Sequence, residues 1–335
     1  MPTEANFRIE EELYCSGVVK YYFQPVGIIV ATSQKTAEDA ANLVQISYTA
    51  GQQKPLLTVR DILAANNKEK IQFDHKVDPK SKGSDVKHKI KGQFDIYSQY
   101  HYYMEMNCCI VIPTEDGLDV YPTTQSMDST QNAVAAVLNI PVNKVNITVR
   151  RIGGGYGGKV TRSAIVTCSA ALAAHKLQKP VKFWVPLIDN ANVMGKRYGC
   201  TADYEVGFND QGVVQYLNTD IYSDYGYAGG NEYINEELVA TFTGTYDSST
   251  WSINSYRALT DVPTGTWCRA PATTEGLALA ECIMNHIASE LKGDPLEIRL
   301  ANLDKTQPDM NKHIGELKEW AEVDKRKKEV EDFNK

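Results

Sequence analysis

Alternating apolar and polar positions along the chain predict several β-strands. Residues 145–152 place Val145, Ile147 and Val149 at every second position, which is the period of a half-buried strand. A hairpin is predicted where two apolar runs flank the turn Glu115-Asp116-Gly117. The same criteria, with enrichment in Val, Ile, Tyr and Phe, predict strands at residues 18–31, 108–112, 118–121, 145–152, 181–188, 202–208 and 213–222.

Apolar residues spaced three and four apart predict the helices. The clearest case is residues 274–291, where Leu277, Ala280, Met284 and Ile287 share one face. Asp294 and Pro295 have the residue types of an N-cap and a first helical position, so another helix is expected to begin there. Further helices are predicted at residues 36–46, 58–65, 126–138 and 162–176.

This mixture of elements predicts an α+β fold with mixed sheets and helices packed on them. Residues 75–91 are rich in lysine and poor in apolar side chains, so we interpret them as a solvated loop or linker. That interpretation divides the chain near residue 90, with a small α/β domain at residues 1–90 and a second domain at residues 91–335. Residues 225–244, rich in Gly and Tyr, favour no particular element.

Composition narrows the possible functions. The 335 residues carry a net charge of −7, and the basic side chains are scattered outside the lysine-rich stretch, so nucleic acid is not an expected partner. No apolar run reaches membrane-spanning length, and the polar N-terminus lacks the apolar core of a signal peptide. The seven cysteines lack CxxC spacing, which is typical of reduced thiols. A cytoplasmic protein without membrane contact is therefore expected.

The stretch RRIGGGYGGKVTR at residues 150–162 holds five glycines within six positions. Each glycine costs chain entropy when it is ordered, and a simple turn needs only one or two. The run satisfies the dinucleotide pattern GxGxxG, but no acidic residue stands about 20 positions later. It also satisfies most of a phosphate loop, except that Val160 occupies the Ser or Thr position. We favour a loop whose amides face a bulky anionic cofactor, with Lys159 and Arg162 supplying positive charge.

Neighbouring motifs point to one family. The run RRIGGGYGGK, preceded by YPTTQSMDSTQNAVAAVLNIPVNKV and followed by Cys268-Arg269-Ala270-Pro271, closely resembles the large molybdenum-cofactor subunit of the xanthine dehydrogenase and aldehyde oxidase family. Residues 24–31 and 99–105 resemble two further family blocks, so the likeness extends over nearly the whole chain. It implies that residues 1–90 are part of an a/b hammerhead-like domain. Residues 91–335 would be the first molybdopterin-binding domain, truncated at its C-terminal side.

The resemblance also implies roles for single residues. Gln125 matches the glutamine that approaches the oxo ligand of molybdenum, and Arg269 matches an arginine that contacts the molybdopterin. Tyr156 and Gly157 would present backbone amides to the metal site, with Gly155 as a further cofactor-binding residue of the same loop. Backbone and side-chain donors can hold a pterin dithiolene without any direct side-chain ligand to the metal.

Two positions bear on the substrate. Val160 stands where xanthine dehydrogenases have a glutamate, and Pro271 stands where they have an aromatic residue, so both favour an aldehyde. Residues 225–245 contain no arginine to pair with a purine. The segment WCRAPATTEG is most similar to insect aldehyde oxidases. Purine hydroxylation and a non-catalytic nucleotide-binding module are the alternatives.

The implied parent enzyme oxidises aldehydes to carboxylic acids with water as the oxygen donor. Electrons would pass through 2Fe-2S centres and FAD to dioxygen, and the enzyme would be a homodimer. Those centres and the general-base glutamate would lie outside this chain, which would then hold no catalytic residue and be inactive alone. His101 and Glu105 form a conceivable acid–base pair, but a histidine among tyrosines favours a hydrogen-bonded core residue.

Overall fold

The computed structural model describes residues 11–49, 51, 54–229, 233–306 and 308–335. Two mixed sheets with helices packed on them make up this part of the chain, which confirms the α+β class. The strands are β1 Ile71–Val77, β2 His88–Ile96, β3 Cys108–Pro113, β4 Leu118–Pro122, β5 Val145–Ile147, β6 Val181–Trp184, β7 Gly199–Phe208, β8 Val214–Asp224 and β9 Trp251–Ala258. The helices are α1 Gln34–Ala41, α2 Val59–Ala64, α3 Met127–Leu138, α4 Ala164–Leu177, α5 Leu187–Val193, α6 Ile234–Thr243, α7 Thr273–Leu291, α8 Pro295–Asn302, α9 Pro308–Trp320 and α10 Val323–Phe333.

The larger sheet has five strands in the order β1-β9-β8-β7-β2, and only β8 and β9 run parallel. Its inner face shares one apolar core with α6 and α7, in which Phe208, Leu217 and Ile253 are fully buried. From α7, Met284 and Ile287 enter this core as the periodicity predicts, whereas Leu277 is exposed. The connection at residues 259–272 therefore joins β9 to α7, which pack in the same core.

The smaller sheet has the order β5-β4-β3-β6, with β4 and β5 parallel. Val111 and Val120 point into a core closed by α3 and α4. The close packing expected of α4 is present, since Ala170 and Ala174 are fully buried. The chain runs from β5 in this sheet through the glycine-rich connection to α4, which packs on the same sheet. Both ends of the connection are therefore held by one packed layer.

Most periodic segments fold as predicted, including the β3–β4 hairpin, the β7–β8 pair, α3, α4 and α7. Residues 18–31 form no strand, and many of their apolar side chains are exposed, so their composition was misleading. The loop predicted at residues 75–91 is wrong at both ends, since β1 and β2 occupy them. Their lysines lie on strands whose backbone pairing with β9 and β7 outweighs the polar composition. Strand β1 precedes the division expected near residue 90 and pairs with β9 after it; the division itself stays a prediction.

Residues 225–244, for which the sequence favoured no element, contain α6. Residues 230–232 of this segment lie outside the described part. All seven cysteines are unpaired. Among the described residues, no helix is long and apolar enough to cross a membrane. The N-terminal residues 1–10 on which the absence of a signal peptide was judged also lie outside the described part.

Candidate cofactor site

Four connections meet at one place between the two sheets. They are the tyrosine segment (residues 99–105, between β2 and β3), the glutamine turn (residues 123–126, between β4 and α3), the glycine loop (residues 153–158, between β5 and α4) and the arginine loop (residues 267–272, between β9 and α7). The backbone amide of Gln125 donates to the backbone carbonyl of Lys159 at 2.8 Å. The backbone amide of Arg269 donates to the backbone carbonyl of Tyr156 at 2.9 Å. The structure therefore brings together Gln125, Tyr156 and Arg269, which lie far apart in sequence.

Close approach of these segments explains part of the glycine content. A Cβ atom on Gly155 would lie 2.4 Å from Gln125 Oε1. Gly157 has a φ of +97°, and a Cβ atom there would lie 2.5 Å from the Trp267 carbonyl oxygen. Packing within the chain thus requires glycine at these positions, whereas the sequence had suggested only an external ligand.

The Gln125 side chain is held in one orientation. Its Oε1 accepts hydrogen bonds from the amides of Gly157 at 3.0 Å and Lys159 at 3.2 Å. Two N–H donors fix which end of the side-chain amide is oxygen, so Nε2 points away from the loop. The side chain is exposed, and Nε2 has no hydrogen-bond partner among the described residues. The Gly157 amide, expected to face the metal site, is already engaged by Gln125.

Lys159 and Arg162 do not supply charge to an open site as the sequence suggested. The Lys159 side chain is fully buried, and its Nζ lies 3.0 Å from Glu105 Oε2. The Arg162 guanidinium is also buried and lies 2.6 Å from Glu11 Oε2. Burial lowers the pKa of Lys159, while the neighbouring Glu105 carboxylate acts in the opposite direction. Both cations are therefore neutralised inside the protein, where an unpaired charge would be costly.

Arg269 remains available. Its side chain is exposed, and its guanidinium makes no hydrogen bond or ion pair within the described ranges. The main chain below it is fixed by Arg197, whose Nη2 donates to the Arg269 carbonyl at 2.8 Å and whose Nη1 donates to the Ala270 carbonyl at 3.3 Å. Arg197 also pairs with the buried Glu275 at 3.2 Å, whose pKa is raised by burial. Sequence reasoning missed Arg197, because its position before β7 gave no periodic or motif signal.

His101 joins the tyrosine segment to the arginine loop. The residue is buried, and its Nε2 lies 2.6 Å from the Trp267 carbonyl oxygen, which assigns the proton to Nε2. Burial lowers the pKa of His101, so the neutral ring is favoured. A Cβ atom on Gly158 would lie 2.7 Å from this ring. His101 is thus a packed, hydrogen-bonded residue, in agreement with the structural interpretation of its sequence context.

Val160 and Pro271 lie at the margins of the same region. Val160 is half-buried directly after Lys159, and its amide donates to the Gly157 carbonyl at 3.2 Å. Pro271 is half-buried in the arginine loop, and its carbonyl accepts from the Thr273 amide at 2.7 Å. Their roles in a substrate pocket stay predictions.

The open groups of the site are hydrogen-bond donors. Gln125 Nε2, the Tyr156 amide and the Arg269 guanidinium have no partner among the described residues, and the nearby Glu105 carboxylate is neutralised by Lys159. Such a set suits an anionic ligand rich in acceptor atoms, such as a pterin with phosphate and dithiolene groups. The residues present therefore fit the cofactor that the sequence resemblance implies. The fold and the loops define a cofactor-binding protein.

Comparison with known proteins specifies the family. Residues 62–303 match the model of the molybdopterin cofactor-binding domain, and the chain belongs to this family. It is 34% identical over 308 residues to an indole-3-acetaldehyde oxidase of Zea mays, covering 88% of this chain and 22% of that protein. An indole-3-acetaldehyde oxidase of Arabidopsis thaliana is 33% identical over 352 residues, covering 97% of this chain and 25% of that protein. The chain thus spans about a quarter of the length of these relatives. These relatives are from plants, and the likeness to insect enzymes stays a prediction.

Solved structures show the same fold. Quinoline 2-oxidoreductase from Pseudomonas putida 86 superposes with a TM-score of 0.73 at 20% identity, covering 89% of this chain and 40% of that one. The aldehyde oxidoreductase from Desulfovibrio desulfuricans superposes with a TM-score of 0.71 at 18% identity, covering 89% and 34% of the two chains. The assignment of the fold to molybdopterin-binding proteins is therefore confirmed.

Proposed function

We propose that this chain forms part of a molybdenum hydroxylase that oxidises aldehydes to carboxylic acids, and that the four connections bind its molybdopterin. The observation that carries the proposal is the meeting of three donors, Gln125 Nε2, the Tyr156 amide and the Arg269 guanidinium, on loops tied together by hydrogen bonds. Aldehyde oxidases among the similar proteins support the choice of substrate class. Gly155 and Gly157 belong to the same contact surface.

When bound, molybdopterin with its metal would supply the redox centre for an oxidation in which water provides the oxygen atom. The chain's own residues hold and orient this group. Arg269 offers a positive charge on an anchored main chain, because Arg197 holds the carbonyls of Arg269 and Ala270. Gln125 offers a directed NH2 group, because the backbone amides of Gly157 and Lys159 hold its side-chain oxygen. Donors fixed before binding need no reorganisation, which favours tight and specific placement of the cofactor.

Val160 and Pro271 favour an aldehyde over a purine. Neither side chain can form a charge-assisted hydrogen bond to a purine ring, a contact that contributes about 1.5–3 kcal/mol. We further propose that the parent protein is a cytoplasmic homodimer in which electrons leave through 2Fe-2S centres and FAD to dioxygen. The general-base glutamate would come from the parent protein outside this chain.

The test is replacement of Arg269 by Ala in the full-length enzyme. Loss of charge-assisted bonds worth about 1.5–3 kcal/mol should weaken cofactor retention about ten- to hundredfold. Molybdenum and pterin per protomer, measured after gel filtration, should fall accordingly. Arg326→Ala, on the exposed helix α10, is the matched control and should retain wild-type loading. Equal loading in both variants would contradict the proposed role of Arg269.

Two further measurements address the alternatives. Val160→Glu should raise the ratio of purine to aldehyde turnover, provided that Val160 lines the substrate pocket. Unchanged turnover ratios would remove this position from the pocket. Titration of the wild-type protein with NAD or ATP should show no saturable binding at micromolar concentration, and such binding would favour the nucleotide-binding alternative.

A further inference from the structure

We propose that Glu105 is a positioning residue, which ties the two ends of the glycine loop together and thereby presents the loop amides to the cofactor. This proposal rests on the proposed function of the loop in binding molybdopterin. Glu105 itself would not touch the cofactor, since its carboxylate is directed at Gly153 and Lys159.

One carboxylate oxygen closes the loop. Glu105 Oε2 accepts a hydrogen bond from the Gly153 amide at 2.8 Å and another from Lys159 Nζ at 3.0 Å. The Glu105 amide donates in return to the Gly153 carbonyl at 3.1 Å. Gly153 begins the glycine loop and Lys159 directly follows it. A glycine-rich segment has many accessible backbone conformations, so a bridge across its ends removes much of that freedom.

The pair is electrostatically asymmetric. The Lys159 side chain is 0% exposed, whereas the Glu105 side chain is 36% exposed. Besides Glu105, the Tyr103 ring lies 4.7 Å from Lys159 Nζ and can stabilise the cation only weakly. Removing Glu105 would leave a buried charge with little compensation, while removing the ammonium would leave a carboxylate that water can still solvate. The two single variants should therefore differ in their effects.

A second closure lies within the first. Gln125 Oε1 accepts from the amides of Gly157 and Lys159, so the C-terminal half of the loop is fixed by a different side chain. Between the two closures, the amides of Gly154, Gly155 and Tyr156 make no hydrogen bond within the described residues. These are the loop donors left for a ligand. Glu105 holds the Gly153 end of this segment, which Gln125 does not contact.

The test uses the full-length enzyme with Glu105→Ala, Glu105→Gln, Lys159→Met and the double variant Glu105→Ala/Lys159→Met. Glu115→Ala, on the exposed β3–β4 turn, is the control for loss of a glutamate. Hydrogen exchange of peptides covering residues 153–159 reports loop order, with peptides from α4 as an internal reference. Molybdenum and pterin content report cofactor binding independently of turnover.

Glu105→Ala should accelerate exchange of the loop amides about tenfold or more, which corresponds to about 1.4 kcal/mol, and should lower molybdenum content. Glu105→Gln keeps an oxygen acceptor and should retain most of the loading. The double variant no longer holds an unpaired buried charge, but its Gly153 amide still lacks the hydrogen bond to the Glu105 carboxylate. The loop amides should therefore still exchange quickly even where global stability recovers. Wild-type exchange and loading in Glu105→Ala would overturn the proposal.

Full recovery of loop order in the double variant would also overturn it, because the defect would then come only from the unpaired Lys159. If Glu105→Ala does not fold, Glu105→Gln and Lys159→Met are compared instead. A positioning role requires that the loop amides of Glu105→Gln exchange no faster than those of Lys159→Met. Arg269→Ala, measured in parallel, separates the two proposals. Unchanged cofactor loading in Arg269→Ala would count against cofactor binding at this site. Lowered loading in Arg269→Ala together with wild-type loading in Glu105→Ala would count only against the positioning role of Glu105.

Discussion

Gly157→Ala is the substitution for which the structure gives the most direct expectation. The φ of +97° at Gly157 is unfavourable for alanine, and left-handed backbone costs an L-residue about 1–2 kcal/mol. The new Cβ would lie 2.5 Å from the Trp267 carbonyl oxygen and 2.8 Å from its carbonyl carbon. Because backbone atoms cannot swing aside, the glycine loop and the arginine loop must separate. That separation would stretch the Arg269–Tyr156 bond of 2.9 Å and the Gly157–Gln125 bond of 3.0 Å, each worth about 0.5–1.5 kcal/mol.

The combined cost is about 2–5 kcal/mol of local stability. Hydrogen exchange of peptides from both loops in the full-length enzyme should therefore accelerate about 30-fold or more, and molybdenum content should fall. The matched control is Gly27→Ala, since a Cβ atom there has no neighbour within 4 Å and the φ is outside the left-handed region. Slow exchange and full loading in Gly157→Ala, equal to the control, would refute the requirement for glycine at this contact.

Two further predictions concern the groups that support these loops. Arg197→Lys keeps the charge next to Glu275 but loses the planar fork on the Arg269 and Ala270 carbonyls, so exchange in the arginine loop should accelerate by a factor corresponding to about 2–4 kcal/mol; wild-type exchange would contradict this. Burial lowers the pKa of His101, so the unfolded chain takes up a proton more readily, and stability should decline as the pH falls below about 6.5 towards the folded pKa. Thermal unfolding between about pH 5 and 8 measures this decline, which should be shallower in His101→Gln.

The predictable part of the fold is the part in which apolar spacing decides the structure. Helix α7 and strand β8 bury one face each, so their sequences carry the period that the core imposes. Strand β1 was missed for the opposite reason, since it lies at the edge of the sheet with a mostly polar, partly exposed sequence and is held by backbone pairing with β9. Strand β9 was missed as well, although its Trp251 and Ile253 are buried in the core.

At the site, the resemblance selected Gln125, Tyr156 and Arg269, and the structure places all three on adjoining loops. Sequence could not show that Lys159 and Arg162 are buried, because their partners Glu105 and Glu11 lie 54 and 151 positions away. A basic residue beside a glycine run has the same sequence appearance whether it faces a ligand or a carboxylate. Only the fold distinguishes the two arrangements.

The positions of backbone strain agree with this distinction. Tyr156, Ala270 and Ala272 adopt positive φ values of 51°, 52° and 63°, although none is glycine. Such conformations cost about 1–3 kcal/mol each and persist only where surrounding contacts hold them. Contacts within the chain hold two of these residues: the Tyr156 carbonyl accepts from the Arg269 amide, and the Ala270 carbonyl accepts from Arg197. Under the proposed function, it is this strained surface, rather than the charges of the buried ion pairs, that would be offered to the cofactor.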